Sequence, residues 1–420
     1  MQIPTITERT PITRRFSRAL AAAVIAGATL TPACRDDAGS GADPFPYTPW
    51  TATGPEVRIG AVEGDPDYLF GPLSGLEVGP DGLVYSRHDG EGTIRRWTVD
   101  GQAAGTVGRP GEGPGEFRRL SAIGFFGDTL WAWDNGSYRA SYFNLGGEFL
   151  GSVSPPVDFG SPEGIPPRPT RPFRDGTFLG SAPAHAYLVA TGALTESPVA
   201  RMDAEGNTLT PLWTHHHETR DLLSLMDEDG VGGRFGEQPF YDAVVYTVFE
   251  DGLIVVERRA WTGEGEPVVT LTRIDLAGDT VFQRRIPYTP EPLPAERVDS
   301  AIRAIADAWH YPESGVSKGA LEARIRAATY KPSYLATVGR RVTVREDGNI
   351  WLERYAPVES DTGERFNEWW ILTMDGEPMA RARLPVGLRV MHLDEEVIWG
   401  TVSDDLDVDY IVRYRLVKGG

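Results

Sequence analysis

The chain of 420 residues has a single cysteine, fewer basic than acidic residues and only one long apolar run. A lone thiol, Cys34, excludes intrachain disulfides and sites in which several cysteines hold zinc or an iron–sulfur cluster. The sequence has no Gly-x-Ser-x-Gly elbow, no His-Glu-x-x-His pair and no phosphate-binding loop, so it shows none of these catalytic or nucleotide-site motifs. The formal charge of −19 disfavours nucleic acid and anionic lipid surfaces as partners, although acidity also serves solubility.

The one long apolar run lies near the start of the chain, from Ala19 to Leu30, and follows the positive segment Arg14 to Arg18. It is about as long as the core of a secretory signal and too short to span a bilayer. The run ends shortly before Cys34, and this arrangement resembles a bacterial lipoprotein signal, in which cleavage before the cysteine frees it for lipid attachment. The resemblance implies an export signal at residues 1–33 and lipid on Cys34. The alternative is a plain secretory signal with an incidental thiol.

The segment after the signal, residues 34–54, is rich in Asp, Gly, Ala and Pro, which predicts a flexible tether. The signal carries four Arg and one Glu, so its removal leaves a chain of charge −22. We therefore expect an exported protein of the bacterial cell envelope, held to a membrane only by its lipid and otherwise secreted.

The remaining sequence is built from a repeat that occurs six times. In each copy an apolar run ends at a Gly-containing turn, a second run crosses back, and a third reaches another such turn; the clearest copy has turns at Asp81-Gly82 and Asp100-Gly101. A repeat of this length cannot bury its own faces and must stack on its copies. The sequence therefore predicts an all-β, six-bladed β-propeller over residues 55–420, with blades at residues 74–107, 118–153, 172–213, 240–287, 334–385 and 386–417.

Two departures from a minimal ring add detail to this prediction. Blade six has three strands, and residues 56–61 form a spare strand before blade one, so we expect this N-terminal strand to complete blade six and close the ring. Between blades four and five, residues 290–333 contain apolar side chains at helical spacing, such as Val298, Ile302 and Trp309. This insertion predicts a helical hairpin that packs over one side of the channel mouth.

The connector after blade one runs from Val107 to Phe117. Its last nine residues match the series Gly-x-Gly-x-Gly-Pro-Gly-Glu-Phe except at the first position, which is Arg109. It resembles the connector of NHL-type six-bladed propellers found in bacterial lipoproteins, many of which have no assigned function. The resemblance implies the propeller fold rather than an activity. We expect Phe117 to plug the space between two blades and Glu116 to accept backbone hydrogen bonds there.

Three connectors are longer than a ring requires, at residues 159–172, 213–239 and 290–333. Each joins the last strand of one blade to the first strand of the next, and therefore shares a face with the loops between second and third strands. Those loops are acidic and suggest Ca²⁺, another divalent cation or a cationic ligand; the alternative is that they are simply solvated. The candidate residues on this face are His88, Asp89, Asp134, Asn135, Arg258, Glu353 and Arg354.

The arginines in this set allow two interpretations. They either form ion pairs with glutamates of a neighbouring blade or point into the mouth and clamp a carboxylate. The run His215 to His217 looks like a set of metal ligands, but successive side chains of an extended chain alternate faces, so at most two could reach one ion. We do not predict a zinc site there.

Three functions remain in competition at this point. The first is a monomeric, non-catalytic binding module that holds an envelope protein, a peptide or a glycan on its loop-elaborated face. The second is a metal-dependent hydrolase or lyase, similar to the lactonases that share this fold, with a divalent ion at the channel mouth. The third is a structural component of a larger envelope complex.

Overall fold

The computed structural model describes residues 45, 49–88, 90–157, 166–182, 185–226, 233–249, 251–310, 315–345, 347–355, 358–359 and 365–419. These residues belong to one compact unit, Gly41–Gly420. The predicted export signal, Cys34, the first part of the tether and Asp89 lie outside the described residues.

The first half of the chain forms three antiparallel sheets of four strands, preceded by the strand β1 (Trp50–Ile59). The first sheet contains β2 (Leu73–Val78), β3 (Val84–His88), β4 (Ile94–Trp97) and β5 (Ala103–Val107). A short parallel pair, β6 (Arg109–Pro110) and β7 (Glu116–Phe117), leads to the second sheet, β8 (Leu120–Phe126), β9 (Thr129–Asp134), β10 (Arg139–Asn144) and β11 (Phe149–Val153). The third sheet contains β12 (Arg168–Pro172), β13 (Phe178–Ser181), β14 (Glu196–Met202) and β15 (Thr208–His216), with the helix α1 (Ala186–Ala190) between β13 and β14.

The second half of the chain adds a hairpin, a fourth sheet, two helices and a larger sheet. The hairpin is β16 (Leu222–Met226) with β17 (Gly233–Glu237), and the fourth sheet is β18 (Val245–Phe249), β19 (Gly252–Glu257), β20 (Val268–Asp275) and β21 (Thr280–Pro287). The helices are α2 (Ala295–Trp309) and α3 (Lys318–Ala328). The last strands are β22 (Val338–Val344), β23 (Ile350–Arg354), β24 (Val358–Glu359), β25 (Arg365–Leu372), β26 (Pro378–Pro385), β27 (Arg389–Leu393), β28 (Val397–Ser403) and β29 (Asp409–Val417).

These sheets form a propeller-like ring, in which the first strand of one sheet contacts the first strand of the next, as β2 contacts both β8 and β27. The ring is not simply six separate blades. Four sheets of four strands are separate, whereas β22 to β29 and β1 form one nine-stranded sheet. The join arises because the start of β1 pairs in parallel with β26, at Trp50↔Ala382 and Thr51↔Arg383.

The predicted pairing of the N-terminal strand with the last strand is confirmed. β1 runs antiparallel to β29, with Arg58 opposite Val412 and Ile59 opposite Ile411. The strand ends at Ile59 rather than at residue 61, and it begins at Trp50, so residues 50–54 belong to the sheet and not to a flexible tether. The fold reaches further back still, because Phe45 is buried and its ring stacks on Trp370 at 4.8 Å.

Arginines join consecutive sheets through backbone carbonyls. At the outer side, Arg96 of β4 donates to Leu145 O (3.1 Å), and Arg413 of β29 donates to Val99 O (3.1 Å). Near the centre, Arg389 of β27 donates to Leu73 O. The last two contacts run from the final strands of the chain to the first sheet, and therefore close the ring.

The third sheet starts earlier than predicted. The prolines of residues 168–172 favour a connector, but these residues form β12, which includes Pro169 and Pro172. β12 lies at one edge of its sheet, where one side of the strand has no ladder partner and the missing N–H of proline costs little.

The predicted helical hairpin is present as α2 and α3. Val298, Ile302 and Ala306 are buried at helical spacing on α2, and the Ser317 hydroxyl caps α3 by accepting from the Ala320 N–H (3.2 Å). Along the part of the chain that the structure describes, no helix combines the length and the apolar character needed to cross a bilayer.

The helices do not stand alone, because the hairpin β16–β17 packs beside them and α1 contacts that hairpin. We call the hairpin with α1, α2 and α3 the cap. Its apolar interior is continuous and consists of Leu223, Leu225, Phe240, Val298, Ile302, Ala306, Leu321, Ile325 and Leu335. The cap comes from three places in the chain. The helix α1 lies between β13 and β14, the second and third strands of the third sheet. The hairpin lies in the connector from β15 to β18, and α2 and α3 lie in the connector from β21 to β22. These places share one face of the ring.

Candidate functional site

The sequence candidates lie at or just after the second strand of four different sheet segments, and the structure gives most of them structural partners. His88, at the end of β3, is buried and donates from Nδ1 to Gly71 O (3.0 Å). Its Nε2 accepts from the Ser86 hydroxyl (2.9 Å), which in turn accepts from Trp97 Nε1 (2.8 Å). Burial lowers the pKa of His88. A neutral imidazole with both nitrogens occupied serves to hold the loop before β2.

Asp134 ends β9 and is fully buried. Its carboxylate accepts from the backbone N–H groups of Arg118 (2.9 Å), Arg119 (2.8 Å) and Gly136 (2.7 Å), and from the Ser137 hydroxyl (2.8 Å). Burial disfavours the charged form, but these hydrogen bonds outweigh it and hold the pKa of Asp134 below its usual range. Four donors occupy its oxygens, so this carboxylate fixes two loops of the second sheet.

Asn135 has a comparable structural role beside it. Its side-chain oxygen accepts from Trp133 Nε1 (2.8 Å), and its backbone N–H donates to Arg119 O (3.0 Å). Both contacts hold the turn that follows β9.

Glu353 and Arg354 end β23 and also have protein partners. Glu353 accepts from Arg341 Nη1 (3.1 Å); burial raises the pKa of Glu353, and the charge of Arg341 opposes that rise. Arg354 forms an ion pair with Glu291 and lies over the Trp370 ring, 5.2 Å from its centroid. The same Glu291 and Arg354 line a small enclosed cavity with Leu335, Ala336 and Thr337.

The candidates that the structure describes each have protein partners of their own. Among the described residues, no three His, Cys, Asp or Glu side chains are grouped so that they could hold a metal ion. Asp89 lies outside those residues. The lone pairs of His88 and Asp134 are engaged by protein donors, and nothing in these contacts favours a divalent ion over the protein's own hydrogen bonds.

Arg258 differs from the other candidates, because it is buried and incompletely bonded. It follows β19, is 1% exposed, and donates from Nη1 to Val338 O (2.8 Å), which joins the fourth sheet to β22. Its Nε and Nη2 atoms are buried and have no hydrogen-bond partner among the described residues. Burial lowers the pKa of Arg258 to about 10.

The next residue, Arg259, is in the opposite situation. Its guanidinium contacts Asp221 (2.7 Å), Asp242 (3.0 Å) and Glu218 (2.9 Å). Burial lowers the pKa of Arg259, but its hydrogen bonds to Asp221 and the charges of both aspartates outweigh burial and raise that pKa overall. Asp221 and Asp242 come from the connector that carries the cap hairpin, so this cluster attaches the cap to the ring.

Tyr330 extends the cluster to the end of the helical hairpin. Its hydroxyl donates to Asp242 Oδ2 (3.2 Å) and accepts from Arg220, whose guanidinium also lies over the Tyr330 ring. Burial, and then the charge of Asp242, raise the pKa of Tyr330 to about 12. Gln238 completes the junction by donating to Leu222 O and Ala328 O (both 3.1 Å).

Tyr241 connects this cluster to Arg258. Two guanidinium groups approach its ring, that of Arg258 at 5.2 Å and that of Arg340 at 4.1 Å from the centroid. Arg340 is also paired with Glu237 of the cap hairpin. Burial is the main cause that raises the pKa of Tyr241. We refer to Arg258, Tyr241 and Arg340 as the arginine–tyrosine site.

The histidine run lies at the edge of the same region. The rings of His215 and His217 are 4.5 Å apart, and His217 Nε2 is 2.7 Å from the Ser197 hydroxyl. Burial, followed by repulsion from His217, lowers the pKa of His215 to about 4. His216 points away and is exposed, as the alternation of an extended chain predicts.

Comparison with known proteins adds little about activity. No family model matches the chain, and no curated protein matches it. Among solved structures, the chain is similar to a protein from Bacteroides fragilis that is designated as exported, with 9% identity, a TM-score of 0.41 and coverage of 86% of this chain and 94% of that one.

Two enzymes are among the other similar structures. One is the PQQ-bound aldose sugar dehydrogenase of Streptomyces coelicolor, at 12% identity and a TM-score of 0.39, with coverage of 88% of this chain and 99% of that one. The other is a catalytically inactive virginiamycin B lyase of Staphylococcus aureus bound to quinupristin, at 13% identity and a TM-score of 0.36, with coverage of 86% and 98%. At this level of similarity, neither enzyme's activity transfers to this chain.

Proposed function

We propose that this protein is an exported, lipid-anchored binding module of the bacterial cell envelope that holds its partner on the cap face. The observation that carries the proposal is the junction between cap and ring. There, segments far apart in the chain bring together buried charges, and one of them, Arg258, has two donors without partners among the described residues. Buried, incompletely compensated ionisable groups concentrate at functional sites.

The proposal includes a ring of six blades. The nine-stranded sheet contains two antiparallel four-stranded runs, β22-β23-β25-β26 and β27-β28-β29-β1, and the two runs meet only through the parallel start of β1. Counted as two blades, these runs together with the four separate sheets give six. The connector with Phe117 supports an NHL-type ring, since Phe117 is buried between residues of the first two sheets, among them Tyr85 and Leu130.

Binding is favoured over metal-dependent catalysis because the acidic and histidine candidates already form hydrogen bonds with the protein itself. His88, Asp134 and Glu353 each satisfy backbone or side-chain donors and acceptors of the ring itself. The group left available at the cap junction is Arg258, which is cationic and lies beside the Tyr241 ring, and this suits recognition of an anionic group better than coordination of a cation.

Site-specific photo-crosslinking in the native envelope tests the proposal. A photo-reactive amino acid replaces Ala304, an exposed position of α2, and, as the control, Asp100, an exposed turn position on the opposite face. We expect discrete adducts from position 304 and none from position 100. Equal adducts from both faces, or none from position 304, would refute the cap as the binding face.

The anchor has its own test, a Cys34→Ser variant expressed with its signal. We expect the wild-type protein to partition with membranes and the variant to appear in the soluble exported fraction. Membrane retention of the variant would contradict lipid attachment at Cys34.

A further inference from the structure

We infer that Arg258 is the anchor for a carboxylate group of the ligand that this protein binds. The inference rests on the proposed function and names the chemistry recognised at the cap face. It starts from the two unoccupied donors of Arg258, a side chain that is 1% exposed. Burial of a guanidinium costs free energy when its donors are unpaired, so an acceptor supplied by a ligand would stabilise this site.

The other arginines of the junction have acidic partners. Arg220 pairs with Glu218, Arg259 with Asp221 and Asp242, and Arg340 with Glu237. Within the described ranges, Arg258 has no carboxylate within ion-pair distance, although it is the most buried of the four. Of these four arginines, Arg258 is therefore the one without an acidic partner among the described residues.

A purely structural role does not account for all of Arg258. Arg87 is the equivalent arginine of the first sheet, and it also joins its sheet to the next one by donating from Nη1 to Leu120 O (3.2 Å). Arg87 uses its Nη2 as well, on Ser74 O. Arg258 makes only the first kind of contact, so joining two sheets occupies one of its nitrogens and leaves the others unused.

The free atoms have the geometry of a bidentate site. Nε and Nη2 lie on the same edge of a guanidinium and donate two parallel hydrogen bonds, which match the two oxygens of a carboxylate. Because Nη1 is held by Val338 O, the plane of the guanidinium is already fixed before a ligand arrives. Of the buried side-chain atoms without partners in the described structure, Arg258 is the one residue that contributes two.

The surroundings favour a group of single negative charge. Arg340 adds positive charge beside the same Tyr241 ring, whereas the charge of Asp242 opposes the lowering of the Arg258 pKa by burial. A carboxylate is therefore better tolerated than a phosphate dianion. Since the guanidinium of Arg258 lies over the Tyr241 ring, 5.2 Å from its centroid, we expect the ligand to enter by displacing that ring.

The test is thermal unfolding of the full-length exported protein in increasing sodium acetate, with sodium chloride at equal ionic strength as the reference. We expect a saturable rise in Tm above the chloride reference, and a smaller rise with inorganic phosphate. In Arg258→Met the half-maximal acetate concentration should increase about tenfold or more, as expected when two charge-assisted hydrogen bonds are lost.

Two further variants make the result interpretable. Arg258→Lys keeps one donor for Val338 O but has no bidentate edge, so it should fold and still lose the acetate response. Arg87→Met removes the equivalent contact of the first sheet and should lower Tm in chloride while leaving the acetate midpoint unchanged.

The proposal is overturned if acetate gives no rise above chloride, if Arg258→Lys responds like the wild type, or if phosphate alone stabilises the protein. Crosslinks from position 304 together with a flat acetate response would refute the carboxylate site and leave the cap as a binding face. Absence of those crosslinks would remove the proposed function itself.

Discussion

Ile59→Ala tests whether the N-terminal strand is part of the ring. Ile59 is the last residue of β1, is 1% exposed, and lies opposite Ile411 in β29. Its side chain belongs to one buried cluster with Trp97 of the first sheet and Trp399 of β28, and this cluster contains residues from both sides of the closure. The substitution removes contacts at the place where the two ends of the ring meet.

The magnitude follows from the burial of this side chain. Ile→Ala removes three carbon groups, worth about 2.4 kcal/mol of transfer free energy at about 0.8 kcal/mol each. The cavity left in a closely packed interface raises the loss to about 3–4 kcal/mol. For a folded body of about 370 residues, this corresponds to a decrease in Tm of about 4–5 °C.

The assay is urea unfolding followed by tryptophan fluorescence, with Val62→Ala as the matched control. Val62 follows the same strand but is 57% exposed, so its truncation should change the free energy of unfolding by less than about 0.5 kcal/mol. Equal effects of the two substitutions, or no effect of Ile59→Ala, would mean that β1 does not close the ring.

Three further predictions concern the rest of the structure. Asp134→Asn should cost about 2–4 kcal/mol, because an amide cannot accept from four donors; urea unfolding against Asp128→Asn, an exposed turn residue, measures it. Burial lowers the pKa of His215 to about 4, so the stability that depends on its neutral form is fully present above pH 6.5 and is lost as the pH falls from 6.5 toward 4. After allowance for partial exposure, the free energy of unfolding should fall by about 1–2 kcal/mol over this range. In a series of urea unfolding curves, His215→Gln should flatten the dependence of this free energy on pH, and His216→Gln should not. Gly236→Ala places a Cβ 2.5 Å from the Trp309 ring and should shift Trp309 fluorescence and loosen the cap, whereas Gly319→Ala, with open space around it, should not.

Each of these predictions has an outcome that contradicts it. A stability loss below 1 kcal/mol for Asp134→Asn would mean that solvent replaces its hydrogen bonds. An unchanged pH slope in His215→Gln would show that other groups cause the acid sensitivity. Unchanged fluorescence in Gly236→Ala would show that β17 and α2 are not in close contact.

Local chemistry made part of this fold predictable from the sequence. The Asp-Gly turns mark hairpins because glycine tolerates the backbone required there, as Gly82 (φ +76°) and Gly101 (φ +87°) show. The apolar spacing of Val298 and Ile302 predicts the helical insertion, because residues four apart lie on the same face of a helix. Glu116, expected to accept backbone hydrogen bonds, does so from the Gly113 N–H (2.7 Å).

The features that were not predictable depend on contacts between distant segments. Nothing in the composition of residues 45–54 indicates that Phe45 stacks on Trp370 or that Trp50 pairs beside Ala382. The hairpin β16–β17 was hidden in a connector because its apolar partners lie about 75 residues later, on α2.

The contacts of the candidate site residues also depend on segments that are distant in the sequence. The sequence places Arg258 at the end of a strand and allows two roles for it, pairing with a glutamate or clamping a carboxylate. The structure shows a third contact, a backbone carbonyl of the next sheet. The roles of Asp221 and Asp242 could not be found, because only the folded connector brings them to Arg259.

The central claim, that the cap junction receives a carboxylate, is tested most directly by a crystal structure of the protein grown in sodium acetate. The account predicts a planar two-oxygen group within about 3 Å of both Nε and Nη2 of Arg258, with Nη1 still bound to Val338 O. A structure in which those two nitrogens are paired with the protein's own carbonyls or carboxylates, with no acetate beside them, would contradict it.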